Sequence, residues 1–348
     1  MNKEKTILLF LLYISNAGCN FETKSRFENE ANLKGHEVCV KSLLNPKSLL
    51  IHDSLIFIKE RAISLKSLKI MHLDDFDLLS NAVILGKGPG ELTNPASMVI
   101  DKNKNILWYS DWGKYKCFQF PIDSLLINPD YKPTESFMIN RGFMPMMNMF
   151  YYPPRYFGFS NFITKDLVNF IDINGQIIDS LKIANKVFPN LWEDFGFSDN
   201  PLIVHYNFEK NKIVVANNNK NQLAVIDPDG YPAFRIEKKV IKSKPKKNNT
   251  TRGRYYSYFM IDSDDDYIYC LYVGGMDQIY NKETNSISLN YPTRLLVYNW
   301  EGIGVYDIHL DHPLKYFAID KERKRLIGIT KDFKNGLVLY DLIDKIKY

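Results

Sequence analysis

Residues 86–92, GKGPGEL, contain the residue types of a phosphate-binding loop. Glycines allow backbone N–H groups to close around a phosphate, and a lysine can contact its outer oxygens. A Walker loop also needs Ser or Thr after the lysine and then a helix, whereas Lys87 is followed by Gly88, Pro89 and a strand-like run. A dinucleotide-binding loop needs a helix after its glycines as well. The stretch is therefore predicted to be a structural connection between two strands.

Three dispersed residues could support catalysis or ligand binding if the fold brought them together. His205 lies within a strand-like run, while His312 and Arg155 stand near the starts of two others. Such groups can act as acid and base or hold a metal. Nothing in their spacing shows that they meet, and a structural histidine is the favoured alternative. We therefore treat the three as candidate ligand-binding residues and predict no catalytic residue, no metal and no cofactor.

A local basic segment offers a different chemistry. Residues 238–254 contain eight Lys and Arg and no acid. Arg252 and Arg254, with Tyr255 beside them, could bind an anionic partner such as an acidic glycan or another protein. The alternative is a solvated loop, which is the usual role of a run of like charges.

Two further stretches contain residue types that bind metals. The run DSDDD at 262–266 lacks the Gly and the Glu of a calcium loop, because Tyr267 and Val273 occupy those positions. It is predicted to be a turn. The methionines of residues 143–154 suit Cu(I) in principle, but methionine also fills irregular apolar gaps, which is the interpretation we prefer.

Residues 1–18 are predicted to be a signal peptide that is removed from the mature protein. A short basic start precedes an apolar run of ten residues, which is too short to span a bilayer, and small residues precede Cys19. This order resembles a bacterial lipoprotein signal and implies acylation of Cys19, although Asn16 stands where such signals usually have Leu. An ordinary secretory signal is the alternative, and both predict export. Residues 19–35 are polar and aperiodic, which predicts a flexible tether.

Length and composition favour one strand-rich domain. The chain has 348 residues, including 22 Tyr and 22 Phe, and aromatic residues pack well on sheets. The net charge of +5 is small for this length, which excludes a globally basic nucleic-acid-binding protein. With Cys19 used as an anchor, Cys39, Cys117 and Cys270 remain and are predicted to be buried free thiols.

The sequence repeats itself with a period near 50 residues. Four segments share an apolar strand that ends in an acid, a polar turn and a second apolar strand. The four acids are Asp101, Glu209, Asp262 and Asp320. A carboxylate in this place can accept backbone N–H bonds within the turn. A second pattern ends a strand in Asp or Asn and has a Gly three residues later, which predicts hairpins at 170–175, 225–230 and 297–302.

A period of this length with four strands in each unit is the pattern of a β-propeller blade. Residues 36–348 accommodate six blades, with five or seven as alternatives. The inner strands are predicted near 47–51, 97–101, 155–160, 202–208, 256–262 and 315–320. The last unit lacks a fourth strand, and residues 36–44 are predicted to supply it and close the ring.

One repeat carries a family resemblance. The run GKGPGELTNP, followed by MVID, NILWYSD and CFQF, resembles the repeat of NHL-type propellers, in which this loop joins the outer edge of one blade to the centre of the next. Together with the lipoprotein signal, it resembles the TolB-like six-bladed propeller lipoproteins of Bacteroidetes. The specific motif covers only residues 86–120. The resemblance implies an all-β six-bladed propeller in the cell envelope and a structural inter-blade loop formed by Gly86, Gly88, Pro89, Gly90 and Glu91. It implies no established activity.

Strand parity sorts the long loops by face. In four-stranded antiparallel blades, the loops between blades and the loops between second and third strands emerge together, so residues 86–92, 238–254 and 273–294 would share one face. Binding sites on rigid scaffolds tend to lie on such loops. We therefore predict a lipid-anchored outer-membrane propeller, facing the periplasm or exposed at the surface. It would bind an envelope protein or glycan through this face, would not bind nucleic acid and would not be an enzyme. The alternative is a hydrolase or lyase with its site at the ring axis.

Overall fold

Six antiparallel sheets surround one axis in the computed structural model of the chain. The structure describes residues 27–342 except for 62–64, 144–145, 154–155, 161–165, 182–186, 189–201, 219, 230–231, 238–254, 277, 282–284 and 331–335.

The described part of the chain begins with two short strands and then forms the blades in order. The first two strands are β1 (Asn29–Leu33) and β2 (His36–Cys39). Blade one contains β3 (Pro46–His52), β4 (Leu55–Glu60), β5 (Lys66–His72) and β6 (Leu78–Ile84). Blade two contains β7 (Pro95–Asp101), β8 (Ile106–Asp111), β9 (Lys116–Pro121) and β10 (Ser136–Met138), with helix α1 (Ile122–Ile127) after β9. Blade three follows a 3₁₀ turn (Arg141–Phe143) and contains β11 (Met147–Tyr152), β12 (Tyr156–Ser160), β13 (Val168–Ile171) and β14 (Ile177–Leu181).

The remaining blades follow the same plan with one insertion. Blade four contains β15 (Leu202–Asn207), β16 (Lys212–Asn217), β17 (Gln222–Ile226) and β18 (Pro232–Glu237). Blade five contains β19 (Tyr255–Ser263) and β20 (Tyr267–Met276), then a separate hairpin of β21 (Gln278–Asn281) and β22 (Ser286–Leu289), then β23 (Arg294–Asn299) and β24 (Gly304–Leu310). Blade six contains β25 (Leu314–Asp320), β26 (Arg325–Thr330) and β27 (Gly336–Asp341).

The first strand of every blade lies at the axis. β3, β7, β11, β15, β19 and β25 each contact the inner strand on either side, so the ring is closed. The predicted all-β six-bladed propeller with four-stranded antiparallel blades is confirmed.

Five inner strands lie where the sequence predicted them, and the third was wrong. The prediction at 155–160 falls on β12, the second strand of blade three, whereas the inner strand is β11. Two consecutive prolines, Pro153 and Pro154, divide the segment. Because proline cannot donate to a strand ladder, the residues before and after it form two strands instead of one.

The N-terminal part of the chain completes blade six, as predicted. β2 pairs antiparallel with β27, from His36 opposite Leu339 to Cys39 opposite Gly336. The fourth strand of the last blade thus comes from the start of the chain, which removes an open sheet edge.

Residues 29–33 were expected to belong to the tether, and they form a strand instead. β1 pairs in parallel with β24 as a fifth strand of blade five. The Phe27 ring lies 5.2 Å from the Tyr298 ring, and Glu28 N–H donates to Gly304 O at 3.0 Å. A prediction from composition considers only the polar side chains of this segment. It misses the backbone hydrogen-bond partners that the open edge of β24 supplies.

In two of the four repeats the predicted acid accepts a backbone N–H bond within its turn, as expected. Asp101 Oδ1 accepts the N–H of Asn103 at 3.2 Å, and Asp320 Oδ1 accepts that of Arg323 at 3.3 Å. In blade four this role belongs to Asn207, which accepts Lys210 N–H at 2.8 Å, instead of Glu209. In blade five it belongs to Asp264 instead of Asp262: Asp264 Oδ1 accepts two turn N–H groups at 2.7 and 2.8 Å. The sequence repeat identified the turns and misplaced the acceptor by two residues in these two blades.

The hydrophobic core lies between neighbouring blades. Phe57 of blade one packs in one cluster with Leu107 and Phe120 of blade two, and all three are fully buried. Neighbouring blades cover both sides of each blade. Middle strands such as β17 are therefore buried along their whole length, and their residues do not alternate between buried and exposed. Of the three cysteines described, Cys117 and Cys270 are buried thiols, as predicted, whereas Cys39 is exposed on the outer strand β2.

Gly35→Ala is expected to weaken the closure of the ring. A Cβ at Gly35 would lie 2.3 Å from Val338 Cγ2 and 2.9 Å from the Tyr340 ring, both on β27, so β2 would have to move away. Overpacking of this kind costs about 1–3 kcal/mol. The midpoint of urea unfolding, followed by circular dichroism, should fall accordingly.

Gly275→Ala is the matched control for this substitution. The nearest atom to a Cβ at Gly275 is 4.0 Å away, so no overpacking is expected. Equal unfolding midpoints in the two variants would contradict a tight crossing at Gly35.

Candidate binding site in the central channel

The six inner strands enclose a central channel with a cavity of about 880 Å³. Each inner strand begins at the face on which the chain enters its blade, which we call the inter-blade face. Each ends at the opposite face, the hairpin face, where a tight turn leads to the second strand. The two ends of the channel are therefore built from different parts of the same six strands.

The channel end at the inter-blade face carries positive charge. Lys47 is the second residue of β3, Lys315 is the second residue of β25, and Lys59 lies near the end of β4 beside the start of β3. We call these three lysines, together with Trp112, the basic mouth. No Asp or Glu occurs among the described residues that line this half of the channel.

Lys59 is the most constrained member of the basic mouth. Its Nζ donates to the backbone carbonyl of Ala96 in blade two at 2.5 Å. Burial, with a smaller contribution from the positive charge of Lys47, lowers the pKa of Lys59 to about 8. The carboxylate of the neighbouring Glu60 has other partners: it accepts the N–H groups of Leu44 and Asn45 at 2.6 and 3.1 Å and lies 3.9 Å from Lys69 Nζ. Lys59 is thus a largely desolvated cation whose described contact is a neutral carbonyl.

Aromatic side chains border the same end of the channel. Trp112 lines the channel and is 37% exposed. Across from it, the Phe259 and Tyr291 rings meet edge to face with their centroids 5.9 Å apart, and Lys315 Nζ lies 5.7 Å from the Tyr291 centroid. Tyr316 also lines the wall, and burial raises the pKa of its hydroxyl.

The channel end at the hairpin face is acidic. The lining acids there are Asp53, Asp101, Glu209, Asp262, Asp264, Asp265, Asp320 and Glu322, and the lining lysines are Lys102 and Lys321. Several of these acids serve the protein itself. Asp320 pairs with Arg325 at 2.8 Å, and Asp265 forms an ion pair with Lys321. This end is therefore largely occupied by turn and ion-pair contacts.

His205 belongs to a polar cluster between blades four and five. Its Nε2 lies 2.8 Å from Ser263 Oγ, which accepts a hydrogen bond from Asn207 Nδ2 at 2.9 Å. Asp262 Oδ1 lies 3.8 Å from the same His205 nitrogen. The Asp262 carboxylate also accepts the backbone N–H of Ile319 in blade six at 2.8 Å. The cluster therefore ties three blades together at the channel wall.

The protonation of this cluster makes it a poor acid–base site at neutral pH. Burial lowers the pKa of His205 to about 4, with a smaller contribution from the charge of Lys102, so the imidazole is neutral and a weak base. Burial raises the pKa of Asp262 to about 6. A triad would place its carboxylate on the far nitrogen of the imidazole, whereas Asp262 approaches the nitrogen that faces Ser263. The arrangement therefore fits an inter-blade contact better than a nucleophile with its base.

His205 and His312, the two sequence-predicted site residues whose side chains are described, do not meet. His205 lines the channel, whereas the His312 Nε2 lies 3.7 Å from Glu37 of β2, and the His312 backbone N–H donates to the Tyr340 hydroxyl at 3.2 Å. Its position near the start of an inner strand had suggested that His312 could approach the central axis; it does not, because its loop lies against the outer strands of blade six. Arg155, Arg252 and Arg254 lie outside the described residues. Tyr255 opens β19 opposite Met276, and its side chain is also outside the description.

The loop of residues 86–92 folds around its own glutamate. Gly88 N–H donates to the Glu91 carboxylate at 2.8 Å, and Lys132 Nζ contacts that carboxylate at 2.8 Å; both contacts lower the pKa of Glu91. Lys114 Nζ donates to the carbonyls of Gly88 and Glu91 at 2.7 and 2.6 Å. Gly90 has φ +69°, and a Cβ there would lie 2.8 Å from Lys132 Cβ. The loop's polar groups are thus used within the protein, and its lack of a ligand stays a prediction.

The sequence did contain a signal for the basic mouth that our sequence analysis did not use. A proline starts or immediately precedes several inner strands: Pro46 and Pro95 are the first residues of β3 and β7, and Pro313 precedes β25. Proline is accepted at the first residue of a strand, where no ladder bond is lost. The residue after such a proline, or one further on, reaches the channel mouth, which would have identified Lys47 and Lys315.

The described residues contain no helix that is long and apolar enough to cross a membrane. They also contain no group of three His, Cys, Asp or Glu side chains that could hold a metal ion.

No protein-family model and no curated protein matches the chain. Solved structures share its fold. A member of the DUF4221 family from Bacteroides vulgatus ATCC 8482 is 12% identical, with 88% of this chain and 97% of that chain covered and a TM-score of 0.56. A protein assigned as exported, from Bacteroides fragilis NCTC 9343, is 11% identical, with 90% and 99% covered and a TM-score of 0.52. At these identities the likeness shows the propeller fold, and the TolB-like and NHL-like resemblance stays a prediction.

Opposed pH effects are expected from His205 and Asp262. Between pH 6.5 and 4, His205 is protonated in the unfolded chain but stays neutral in the folded chain. The free energy of unfolding therefore falls as the pH falls through this range. Between pH 6 and 3.8 the folded chain takes up a proton at Asp262 before the unfolded chain does, so stability rises as the pH falls. In Asp262→Asn, the free energy of unfolding should therefore fall more steeply from pH 7 to 4.5 than in wild type. In His205→Asn it should fall less steeply.

The expected difference from wild type is on the order of 1–2 kcal/mol at pH 4.5, after allowance for the 23% of each side chain that is open to the channel. Urea unfolding at a series of pH values measures it. Three parallel pH profiles would contradict the burial of the cluster.

Proposed function

We propose that the protein is an exported, lipid-anchored β-propeller of the cell envelope, at the outer membrane. It acts as a non-enzymatic binding or assembly module for a protein or glycan ligand and uses the inter-blade face. One observation carries the proposal: the channel opens on that face into the basic mouth, where lysines and aromatic side chains meet without a carboxylate among the described lining residues. Concave sites with aromatic walls and a few convergent charges are typical of ligand binding.

The long loops add to the same face. Residues 238–254 connect the end of β18 to the start of β19, and the hairpin of β21 and β22 connects the second and third strands of blade five. By strand parity the flanking strands meet the inter-blade face at both connections, and we infer that residues 238–254, which lie outside the described residues, belong to that face. The eight basic residues of 238–254 therefore share the sign of the basic mouth.

The course of the N-terminal segment leaves this face free. β1 runs parallel to β24, which starts at the hairpin face, and Phe27 lies against Gly304 and Tyr298 at that end. The chain therefore enters the propeller at the hairpin face. A lipid on Cys19 would hold the hairpin face toward the membrane and leave the basic mouth pointing away from it.

The rival proposal is a hydrolase or lyase with its site at the axis. The contact between His205 and Ser263 favours it, since a serine hydroxyl beside an imidazole is the start of a nucleophilic site. The low pKa of His205 and the side from which Asp262 approaches argue against it. The binding proposal therefore has the stronger support.

Cys19→Ala should abolish membrane association. Acylation requires the thiol, so the variant, expressed in a Bacteroidetes host, should move from the membrane fraction to the soluble fraction. Intact-mass measurement of the wild-type protein should show the added acyl chains. Cys39→Ala is the control and should remain membrane-bound. Wild-type protein without acyl chains would contradict the anchor but not the binding face.

Trp112→Ala should weaken retention of an envelope ligand. Trp112 lies at the basic mouth and is 37% exposed, and removal of a tryptophan from a binding site commonly costs tenfold or more in affinity (roughly 2 kcal/mol). Immobilised protein should be exposed to fractionated glycans and proteins from solubilised envelopes, and retention should be quantified by interferometry. Replacement of residues 238–254 by a short linker should act in the same direction.

Phe208→Ala is the matched control, because Phe208 is 36% exposed and lines the opposite end of the channel. Loss of retention in Phe208→Ala but not in Trp112→Ala would place binding at the hairpin face and overturn the proposal.

A further inference from the structure

We propose that the basic mouth binds an acidic saccharide, with a sugar carboxylate held between Lys59 and Lys47. The sugar rings would lie against Trp112, Phe259 and Tyr316, which we call the aromatic wall. This inference rests on the proposed function, because it names the ligand class of the same face.

The first support is the position of Lys59. A buried ammonium group is costly unless it is paired, and the described partner of Lys59 is the Ala96 carbonyl. Lys47 adds a like charge nearby, as its effect on Lys59 shows. Two neighbouring cations that share no acid repel each other, and one bound carboxylate would relieve both the repulsion and the lost hydration.

The second support is that the charges come from three separate elements. Lys47 is on β3, Lys59 is on β4, and Lys315 is on β25 of the next blade. The inner strands β3 and β25 are in contact, so the lysines border one side of the mouth. The convergence of like charges from two blades is a property of the assembled ring and not of one sequence run.

The aromatic wall indicates the chemical nature of the uncharged part of the ligand. Trp112, Phe259 and Tyr316 line the channel, and Tyr291 packs edge to face on Phe259. Aromatic faces accept the C–H faces of sugar rings, while the hydroxyl and amide groups of Ser48 and Asn94 on the same lining suit sugar hydroxyls. A cavity of about 880 Å³ accommodates more than one ring.

A carboxylate fits the mouth better than a phosphate does. Phosphate sites favour arginine forks and helix N-termini. Among the described residues that line the channel there is no arginine, and the helix α1 does not line it. Lysines act as point charges, which a single carboxylate satisfies.

The test compares two saccharides of the same backbone, one with charged carboxylates and one with neutral methyl esters. Isothermal titration calorimetry should measure the binding of the mature protein to trigalacturonate and to its fully methyl-esterified form. We expect the acid to bind at least tenfold more tightly than the ester. Equal binding of acid and ester would overturn the proposal, and so would competition by inorganic phosphate at the concentration of the saccharide.

Substitutions at Lys59 supply the structural arm of the test. Lys59→Met retains the length of the side chain and should weaken binding of the acid at least tenfold while leaving the ester unaffected. Lys59→Arg should retain most of the affinity. Lys102→Met, at the acidic end of the channel, is the matched control and should bind like wild type. Weakening in Lys102→Met equal to that in Lys59→Met would count against the site.

A folding control separates loss of binding from loss of structure. Removal of a desolvated charge should leave the melting temperature of Lys59→Met equal to or above that of wild type. A lower melting temperature would show that Lys59 holds the blades together and would overturn its assignment to a ligand. If neither saccharide binds while Trp112→Ala still weakens envelope retention, the saccharide is wrong and the proposed function stands. If Trp112→Ala changes nothing either, both fail.

Discussion

The pairing of β2 with β27 is the interaction on which the rest of the molecule depends. Blade six takes three strands from the end of the chain and one from its beginning, so the ring is held closed by backbone hydrogen bonds between distant segments. Closure sets β25 against β3 at the axis. Lys47 and Lys315, 268 residues apart in sequence, thereby reach the same mouth. The basic mouth is therefore a consequence of ring closure and does not exist in either half of the chain alone.

The two ends of the channel differ because different physical requirements shape them. At the hairpin face the chain must reverse within a few residues, and side-chain carboxylates such as Asp101 and Asp264 satisfy the backbone N–H groups of those turns. Acidity at that end follows from folding. At the inter-blade face, the residues at the starts of inner strands have no such duty, and Lys59 makes its described contact with a neutral carbonyl. Charge that the turns do not require is the better indicator of a ligand.

The architecture could be predicted from the sequence because each propeller blade is formed mainly by residues that are close together in the sequence. Each blade is a run of consecutive strands, so the turn acids and the hairpin glycines recur at a regular spacing. Gly175 and Gly302 both have positive φ, as that hairpin chemistry requires. The missing fourth strand of blade six could also be inferred, because an unpaired edge is unfavourable. These features depend on neighbours in sequence or on a simple count of strands.

The candidate site could not be predicted in the same way, because it depends on contacts between blades. His205 and His312 lie near comparable strands in the sequence, yet one lines the channel and the other contacts β2 on the outer side of blade six. The third inner strand was missed for a related reason. Its start follows Pro145 in the sequence, which matches Pro46 and Pro95, but irregular spacing concealed the correspondence. A search for proline before apolar runs would have located the strand starts and the lysines that follow Pro46 and Pro313, although not how closely side chains of different blades approach one another.

The additional strand β1 determines how the proposed anchor can orient the propeller. If the chain joined the ring only at β2, sixteen residues would separate it from Cys19, a reach of about 55 Å that would let either face turn toward the membrane. Because Phe27 and β1 bind to the edge of blade five, only residues 20–26 intervene, with a reach of about 25 Å. That length is comparable to the height of an inner strand of six or seven residues, about 20 Å. Anionic lipid headgroups would attract the basic mouth, but a tether this short that starts from the hairpin face opposes such a turn. If Cys19 carries a lipid, β1, whose Leu33 is part of the core, would thus favour an orientation in which the basic mouth points away from the membrane.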